Sequence, residues 1–450
     1  MECRVFVPCG ALGSGIAEES FEKGMALKPD IISCDAGSTD SGPYYLGTGK
    51  GKYARSSVKH DLQLIITAAH QAGIPVTIGS ASTCGSDSGV DELAGICREI
   101  CQEENIHARV TLIYSEQDPE ELKKRLKDGR IAPLPAAPVI DDAVLDSCTH
   151  IVGLTGVEPF IKALEGGADI VICGRSTDTA VLAAMPIMRG CDEAAAWHGA
   201  KVCECGGLCT TDPMSGGVFL TVTSKGFIVE AVGETGECTP YSVSAHLLYE
   251  NSDPIHLTEP GVEIDVSESR YQQMENGRVY VEGAKLQKSE QYTMKLEGAG
   301  PNGFQTVILV GIRDRDVMRA PLEWIKKLST FMENRFQKVG VDRSRFSYTI
   351  RPYGYNAVYG GSAPEGYVPN ELGVLLVITA DSQEVATQTA KLFNPYMLHF
   401  PMKTATQLPS YAFPFSPSEI ERGQIYEFRL NHVVKVDDPL ELVRFKDLQM

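Results

Sequence analysis

The chain has 450 residues, of which 43% are hydrophobic and 22% charged, and its formal net charge is −18 with a pI of about 5.0. These values are typical of a globular protein and exclude a disordered or fibrous one, and the length favours two domains. The acidic balance argues against nucleic acid or an anionic membrane as a partner, because both require a basic surface. It leaves room for a small anionic substrate, which needs only a local positive pocket.

Targeting signals and a disulfide framework are not evident in the sequence. No run of about 18 apolar residues is present, so we expect no membrane-spanning helix. The first residues, MECRVFVPCG, lack the basic and apolar regions of a signal peptide. The 13 cysteines are an odd number, and none follows Cys238. In a chain of this size that favours reduced thiols, so we expect a cytoplasmic protein.

The first half of the chain alternates strand and helix signals. Its apolar runs are short and do not alternate with polar residues, as expected for strands covered by helices on both faces. Such βα units predict a mostly parallel sheet. In chain order, strands are predicted at residues 4–8, 31–34, 75–78, 109–114, 151–154 and 169–173, and helices at 16–26, 61–72, 90–103, 119–127 and 157–164.

The second half has a different pattern. From about residue 200, β-like runs and glycine-rich turns predict a β-rich extension of the first domain, 1–290. From 291, the order strand, helix, strand, strand, helix resembles a ferredoxin-like α+β unit. The last part of this domain, 291–450, is rich in proline and has one more predicted strand. We therefore expect an α/β protein: a mostly parallel βαβ sheet domain with a β-rich extension, followed by a smaller ferredoxin-like α+β domain.

The loops after the predicted parallel strands are rich in Gly, Ser, Thr and Asp. In such sheets ligands bind at the carboxyl ends of the strands. The first loop, CGALGSG, has neither the dinucleotide nor the P-loop spacing. Its N–H groups could bind an anion at a helix N-terminus, or it forms only a tight turn. The candidate substrate-binding residues in these loops are Gly13, Ser14, Gly37, Ser38, Thr39, Ser80, Ser82 and Ser176.

The stretch DAGSTDSGP contains two acids, Asp35 and Asp40, directly after a predicted buried strand. They could bind a divalent metal such as Mg²⁺ or Mn²⁺ through oxygen, or act as an acid/base pair. Alternatively, the hydroxyls and N–H groups of this loop bind a carboxylate. The structural alternative is that Asp40 caps the next element and Ser38 closes a turn.

The stretch GADIVICGRSTDTAVLA places Arg175 at the end of another predicted buried strand. Arg is suited to bidentate recognition of a carboxylate, and Asp178 could pair with it or serve as a base. A purely structural Arg–Asp pair at a helix start is the alternative. We take Asp35, Asp40, Arg175, Asp178 and Glu204 as the candidate catalytic residues.

The stretch CECGGLCTTD contains Cys203, Cys205 and Cys209 around Glu204. This spacing lacks the C-x₂-C pair of common zinc and iron–sulfur sites, so it does not favour a metal cluster. We expect a close turn with buried thiols and with Glu204 facing the cleft.

Several long motifs together resemble the acyclic terpene utilisation AtuA family. They are GVEPFIKALEGGADIVICGRSTDTAVLA, ECGGLCTTD, SVSAHLLYENSDPIHLTEPGVEIDVS and FPFSPSEIERGQIYEFRLNHVV, in the same order. The resemblance implies a cytosolic catabolic enzyme, and a small companion subunit, because relatives have a small extra domain fused or encoded nearby. Leu208 and Thr211 depart from the family's ECGGQCTGG pattern, so the resemblance does not transfer a substrate.

These residues favour a lyase, a hydratase or dehydratase of a small carboxylic acid or its thioester. Such chemistry needs an anion clamp and an acid/base pair, and often a divalent metal. An isomerase would use the same parts, and a non-catalytic scaffold of a catabolic complex belongs to another class. We also expect a homo-oligomer, since chains of this size commonly form symmetric dimers or tetramers.

Overall fold

The computed structural model describes residues 1–249, 251, 253–361, 363–403 and 411–450. The chain is a mixed α/β protein with several sheets and divides into two compact units. Unit 1 comprises Met1–Gly300 and Phe428–Met450, and unit 2 comprises Pro301–Glu427. The sequence predicted one boundary near residue 290; in the structure the chain returns to unit 1 at its C-terminal end.

The first part of unit 1 is built from βα units. Its elements in chain order are β1 (Glu2–Val7), α1 (Glu18–Ala26), β2 (Ile31–Asp35), α2 (Pro43–Thr48), α3 (Arg55–Ala72), β3 (Val76–Gly79), α4 (Asp87–Glu103), β4 (Arg109–Tyr114), α5 (Pro119–Lys127), β5 (Ile131–Pro133), α6 (Asp142–Asp146), β6 (His150–Leu154), α7 (Glu158–Glu165), β7 (Ile170–Cys173), α8 (Asp178–Met188) and α9 (Glu193–Cys203).

The rest of the chain has more strand than helix. Its elements are β8 (Val218–Thr223), β9 (Gly226–Ala231), α10 (Pro240–His246), β10 (His256–Glu259), β11 (Val262–Asp265), β12 (Arg270–Gln273), β13 (Arg278–Glu282), β14 (Lys285–Lys288), β15 (Thr293–Ile312), α11 (Arg315–Arg319), α12 (Pro321–Val339), β16 (Phe346–Tyr353), β17 (Leu372–Ala380), α13 (Gln383–His399), β18 (Tyr411–Ala412), β19 (Ile420–Lys435) and β20 (Arg444–Gln449).

The main sheet of unit 1 has ten strands in the order β12-β13-β9-β8-β1-β2-β3-β7-β4-β20. The five strands from β1 to β4 in this order are parallel, and the strands on either side are antiparallel. The β-rich extension therefore joins the parallel strands in one mixed sheet. At the far edge β20, from the C-terminal end of the chain, pairs with β4.

Both faces of the parallel strands are covered by helices. Successive residues of a strand point to opposite faces. On β1, Val5 and Val7 thus belong to the hydrophobic cluster formed with α7, α8 and α9, whereas Phe6 belongs to the cluster formed with α1, α3 and α4. Two-sided burial is why these strands appear in the sequence as continuous apolar runs.

One predicted member of the parallel sheet lies elsewhere. The run at 151–154 forms β6, which pairs antiparallel with residues 295–299 of β15. The prediction that residues 151–154 form a strand of the parallel sheet was therefore wrong. Thr155 nevertheless forms an isolated parallel bridge with Ser176, next to the end of β7. An apolar run predicts a buried strand but not the partner with which it pairs.

Unit 2 has an antiparallel sheet in which β17 lies between β16 and residues 304–312 of β15. Burial alternates along β17, and the buried residues face α12 and α13. On α12 the core residues Trp324, Leu328, Met332 and Phe336 recur every four positions, as expected for one buried helix face. The order of elements matches the sequence prediction, and the ferredoxin-like assignment stays a prediction.

Within the described part of the chain, every helix is too short or too polar to span a bilayer.

Candidate functional site

Three strand ends bring the candidate residues of unit 1 together. Asp35 is the last residue of β2, Ser80 follows β3, and Arg175 and Ser176 follow β7. Because β3 lies between β2 and β7 and all three are parallel, their carboxyl ends meet at one edge of the sheet. This is the edge at which parallel α/β sheets bind ligands.

Arg175 is the centre of this arrangement, and its side chain is only 8% exposed. Its Nε donates to Glu297 Oε2 at 2.9 Å. Its Nη1 donates to Ser80 Oγ at 2.9 Å and to the carbonyl of Ser176 at 3.0 Å, and lies 3.5 Å from Asp178 Oδ1. Nη2 has no hydrogen-bond partner among the described residues, so this nitrogen is the part of Arg175 available to a ligand.

Glu297, on β15, is the buried counterion of Arg175. It also accepts hydrogen bonds from Lys295 Nζ at 3.0 Å and from Thr39 Oγ1 at 3.0 Å. Burial opposes ionisation of this carboxyl, but the charges of Arg175 and Lys295 outweigh it and lower the pKa of Glu297 to about 2. Glu297 is therefore a permanent anion that holds Arg175 and the Thr39 loop in position.

Asp35 is buried at the end of β2. Its Oδ2 accepts a hydrogen bond from Gly37 N at 2.7 Å, and its Oδ1 has no partner within the part of the chain that is described. Burial, followed by the charge of Asp178, raises the pKa of Asp35 well above its usual range. A carboxyl held neutral in this way can donate a proton or a hydrogen bond.

Asp178 and Glu204 form a second acidic pair beside buried cations. Asp178 is the first residue of α8, and Glu204 follows α9. Burial and the charge of Glu204 raise the pKa of Asp178 to about 7. Burial raises the pKa of Glu204 to about 7 as well, although Lys201, at 2.6 Å, counteracts it. Both carboxyls therefore exchange protons near neutral pH.

Two residues of this region had not been predicted from the sequence. Lys201, on α9, pairs with Glu204 and is influenced by the charge of Glu259 on β10. Burial raises the pKa of Glu259, and the charge of Lys201 lowers it in part. The spacing of three residues between Lys201 and Glu204 would have suggested the first pair, had a helix been predicted there.

The glycine-rich loop CGALGSG binds a carboxylate of the protein itself. Asp61, on α3, accepts hydrogen bonds from the N–H groups of Gly13 at 2.8 Å, and of Gly15 and Ile16 at 3.2 Å each. Ser14 is exposed and donates to the carbonyl of Ala11. These N–H groups are thus occupied, and the loop has a structural role in this arrangement.

Three other predicted residues also make local hydrogen bonds. Ser38 Oγ donates to Asp40 Oδ2 at 3.1 Å, and Asp40 N donates back to Ser38 Oγ, so this pair closes the turn Thr39–Ser41. Ser82 Oγ donates to the carbonyl of Gly89. Asp40 is exposed, yet its charge contributes to the raised pKa of Asp178.

The metal prediction rested on Asp35 and Asp40. Asp35 has a free oxygen, Oδ1, but Asp40 uses its carboxylate in the Ser38 turn. No group of three or more His, Cys, Asp or Glu side chains arranged to hold a metal is present in the described ranges. These two residues alone do not make a complete site, and Mg²⁺ or Mn²⁺ binding stays a prediction.

The cysteines of CECGGLCTTD lie close to Glu204 in the sequence. Cys203 and Cys209 are buried, and the thiol of Cys209 lies against those of Cys203 and Cys238. Hydrogen bonding to Cys203 raises the pKa of the Cys209 thiol well above its usual range. Thiols in this state are poor nucleophiles, and an iron–sulfur cluster remains an alternative that the spacing does not favour.

The model of a family described as "Acyclic terpene utilisation family protein AtuA" matches residues 45–414, which is most of the chain. The matched range includes Arg175, Asp178, Glu204 and Glu297, and begins after Asp35. Searches of curated proteins and of solved structures each found no match.

Proposed function

Because the chain belongs to the acyclic terpene utilisation AtuA family, we propose that it acts in terpene catabolism as a hydratase or dehydratase of a small carboxylic acid or its thioester. The family name supports the catabolic role. The reaction class rests on one observation: the paired carboxyls Asp178 and Glu204, each with a pKa of about 7, beside the buried cations Arg175 and Lys201.

Hydration of a double bond conjugated to a carbonyl needs one base, one acid and one stabiliser of negative charge. As the oxygen of water bonds to the β-carbon, the base takes a proton from that water and the π electrons move onto the carbonyl oxygen. The acid then protonates the α-carbon of the enolate. The base gains one proton from the water and the acid gives one proton to the α-carbon, so the net reaction adds one molecule of water across the double bond.

The candidate residues suit these roles. Asp178 is partly ionised near neutral pH and can act as the base. Asp35 is held neutral and can act as the acid. The free Nη2 of Arg175 can bind the developing enolate oxygen, because Glu297 already neutralises the buried guanidinium and fixes its orientation. Glu204, held by Lys201 and by Thr179 Oγ1 at 2.7 Å, sets the charge felt by Asp178.

The test is solvent incorporation. We would incubate the protein with small α,β-unsaturated acids and their thioesters in ¹⁸O-labelled water and, separately, in D₂O, and analyse the products by mass spectrometry. We expect one solvent oxygen and one carbon-bound deuterium per product. Asp178→Asn should lower the rate by about 10²- to 10⁴-fold, the usual contribution of a general base.

The matched control is Asp128→Asn, which changes an exposed aspartate at the end of α5 and should keep the native rate. Deuterium without labelled oxygen would indicate an isomerase and contradict the hydratase proposal. If no substrate incorporates either label, the catalytic proposal fails and a scaffold role is favoured.

A further inference from the structure

A cavity of about 50 Å³ lies next to Asp35 in unit 1. Ala36, the residue after Asp35, forms part of its wall, and so do Ser82 and Thr83 from the loop after β3. The charge of Asp35 also contributes to the raised pKa of Tyr53, another lining residue, for which burial is the larger cause. The cavity therefore adjoins the candidate site.

Five of the twelve residues that line the cavity have apolar side chains. A cavity needs at least about 10–15 Å³ to hold one water molecule, so this cavity of about 50 Å³ has room for a small group of heavy atoms. That is the size of a short carbon chain, which gains free energy when it leaves water. The apolar lining residues are Leu12, Ala36, Val58, Leu93 and Ile96.

The cavity lining includes a cation without an acidic partner among the described residues. Lys52 Nζ donates to Ser41 Oγ at 3.2 Å and has no carboxylate within 4.0 Å among the described residues. The neighbouring Arg55, by contrast, is paired with Glu99. The backbone N–H of Lys52 donates to Thr83 Oγ1 at 3.0 Å, which fixes the backbone of Lys52 against another lining residue. Glu92 is the acid in the lining.

The glycine-rich loop supports this wall. A Cβ on Gly13 would lie 2.7 Å from both Tyr53 Cβ and Val58 Cγ2, so only glycine allows the loop to approach them this closely. Its φ of +93° also favours glycine. Because Asp61 fixes the N–H groups of the same loop, CGALGSG holds the side of the cavity formed by Tyr53 and Val58.

We propose that this cavity is the subsite for the non-reacting end of the substrate, and that this end is a short apolar chain terminating in a carboxylate. The cavity supplies the apolar surface, and Lys52 the charge complementary to the carboxylate. The inference deepens the proposed function: the substrate would be a dicarboxylic acid or its monothioester, with one end at Arg175 Nη2 and the other at Lys52.

The test is binding, which does not require turnover. We would titrate the protein by calorimetry with linear dicarboxylates from succinate to suberate, each compared with the monocarboxylate of equal length. At least one dicarboxylate should bind more tightly than its monocarboxylate. Lys52→Met should remove that difference and weaken the dicarboxylate by about fivefold, the upper value for an exposed charge pair.

Two further variants complete the test. Lys50→Met changes an exposed lysine two positions away and outside the lining, and should bind like the native protein. Gly51→Leu fills the cavity: a Cβ there lies at ordinary contact distances of 3.5 Å from Ser82 Cβ and 3.8 Å from Glu92 Oε2. It should weaken both classes of acid.

Equal binding of mono- and dicarboxylates, native binding by Lys52→Met, or native binding by Gly51→Leu would each overturn the subsite. This outcome is separable from failure of the proposed function. If Lys52 is required for binding but no solvent label enters any acid, the subsite stands and the hydratase proposal falls. If Asp178 is required for turnover while Lys52→Met leaves KM unchanged, the hydratase proposal stands and the subsite falls.

Discussion

Two carboxyl groups that lie beside the same arginine in this site have very different affinities for protons. Glu297 has two cations and a hydroxyl within 3.0 Å, and its pKa is about 2. Asp178 lies 3.5 Å from the same Arg175 but beside other acids, and its pKa is about 7. Such a separation divides the roles: one acid is a fixed anion, and the other can move a proton.

The raised pKa values of Asp178 and Glu204 predict how stability depends on pH. Each group binds its proton more tightly in the folded than in the unfolded chain, where the pKa values are the ordinary 3.8 and 4.5. Their favourable contribution is therefore fully present below the unfolded values and is lost as the pH rises through about 7. Glu297 acts oppositely, and in a separate window: its contribution is lost as the pH falls from 4.5 to about 2.

We therefore expect the free energy of unfolding to decline between about pH 4 and pH 8, with each group contributing at most about 1.4 kcal/mol per pH unit. Asp178→Asn should reduce this slope, because the titration of Asp178 no longer contributes to it. Urea denaturation at a series of pH values measures this change of the free energy of unfolding with pH. Asp128→Asn should keep the native slope, and parallel curves for the native protein and Asp178→Asn would contradict the assignment.

At the scale of elements, the close approach of α8 to the carboxyl end of β3 depends on Gly79, the last residue of this strand. A Cβ at this position would lie 2.3 Å from Val181 Cγ2 on α8. It would also lie 2.7 Å from Ser176 Oγ and 3.1 Å from Asp35 Oδ1, two buried atoms without hydrogen-bond partners among the residues described. The absence of a side chain thus allows α8 and both polar groups to converge.

Gly79→Ala should therefore destabilise the protein by about 1–3 kcal/mol, the cost of overpacking a well-packed core. Urea denaturation measures this change. Gly95→Ala is the matched control: Gly95 lies inside α4, and a Cβ there has no atom within 4 Å. That variant should be neutral or up to about 1 kcal/mol more stable, since alanine favours the helix. Equal stability of the two variants would mean that α8 and the two polar groups can move away from the end of β3 without cost.

The sequence predicted those features that depend on local pattern. Short apolar runs identified the strands, and the strand-end rule located Asp35 and Arg175 near one another. It could not supply Glu297, which pairs with Arg175 from 122 positions away, because nothing in the local sequence determines which distant strand supplies a counterion. For the same reason β6 was assigned to the wrong sheet, and the sequence did not indicate that Asp61 binds the N–H groups of CGALGSG.

At the scale of the whole molecule, each unit has its own hydrophobic core and one of the two tryptophans. Trp197 is buried in the cluster around α8 and α9 of unit 1. Trp324 is buried on α12 of unit 2, where its Nε1 donates to the carbonyl of Phe400 at 2.9 Å. The division of the chain therefore suggests two cooperative units rather than one, and each has an intrinsic fluorescent reporter.

Two single-tryptophan variants test this. In Trp197→Phe the fluorescence reports unit 2, and in Trp324→Phe it reports unit 1. We expect a smaller dependence on denaturant for unit 2, because the slope increases with the surface exposed and unit 2 is the smaller unit. Trp324→Phe also removes the hydrogen bond to Phe400, so it should destabilise unit 2, and circular dichroism detects that change. The unfolding transition of unit 1, reported by Trp197 fluorescence, should keep the midpoint that unit 1 has in the native protein. Coincident transitions with equal slopes would show instead that the two cores unfold as one. A lower midpoint of the transition reported by Trp197 in the Trp324→Phe variant would show the same, because independent units cannot transmit the loss of a contact from one core to the other.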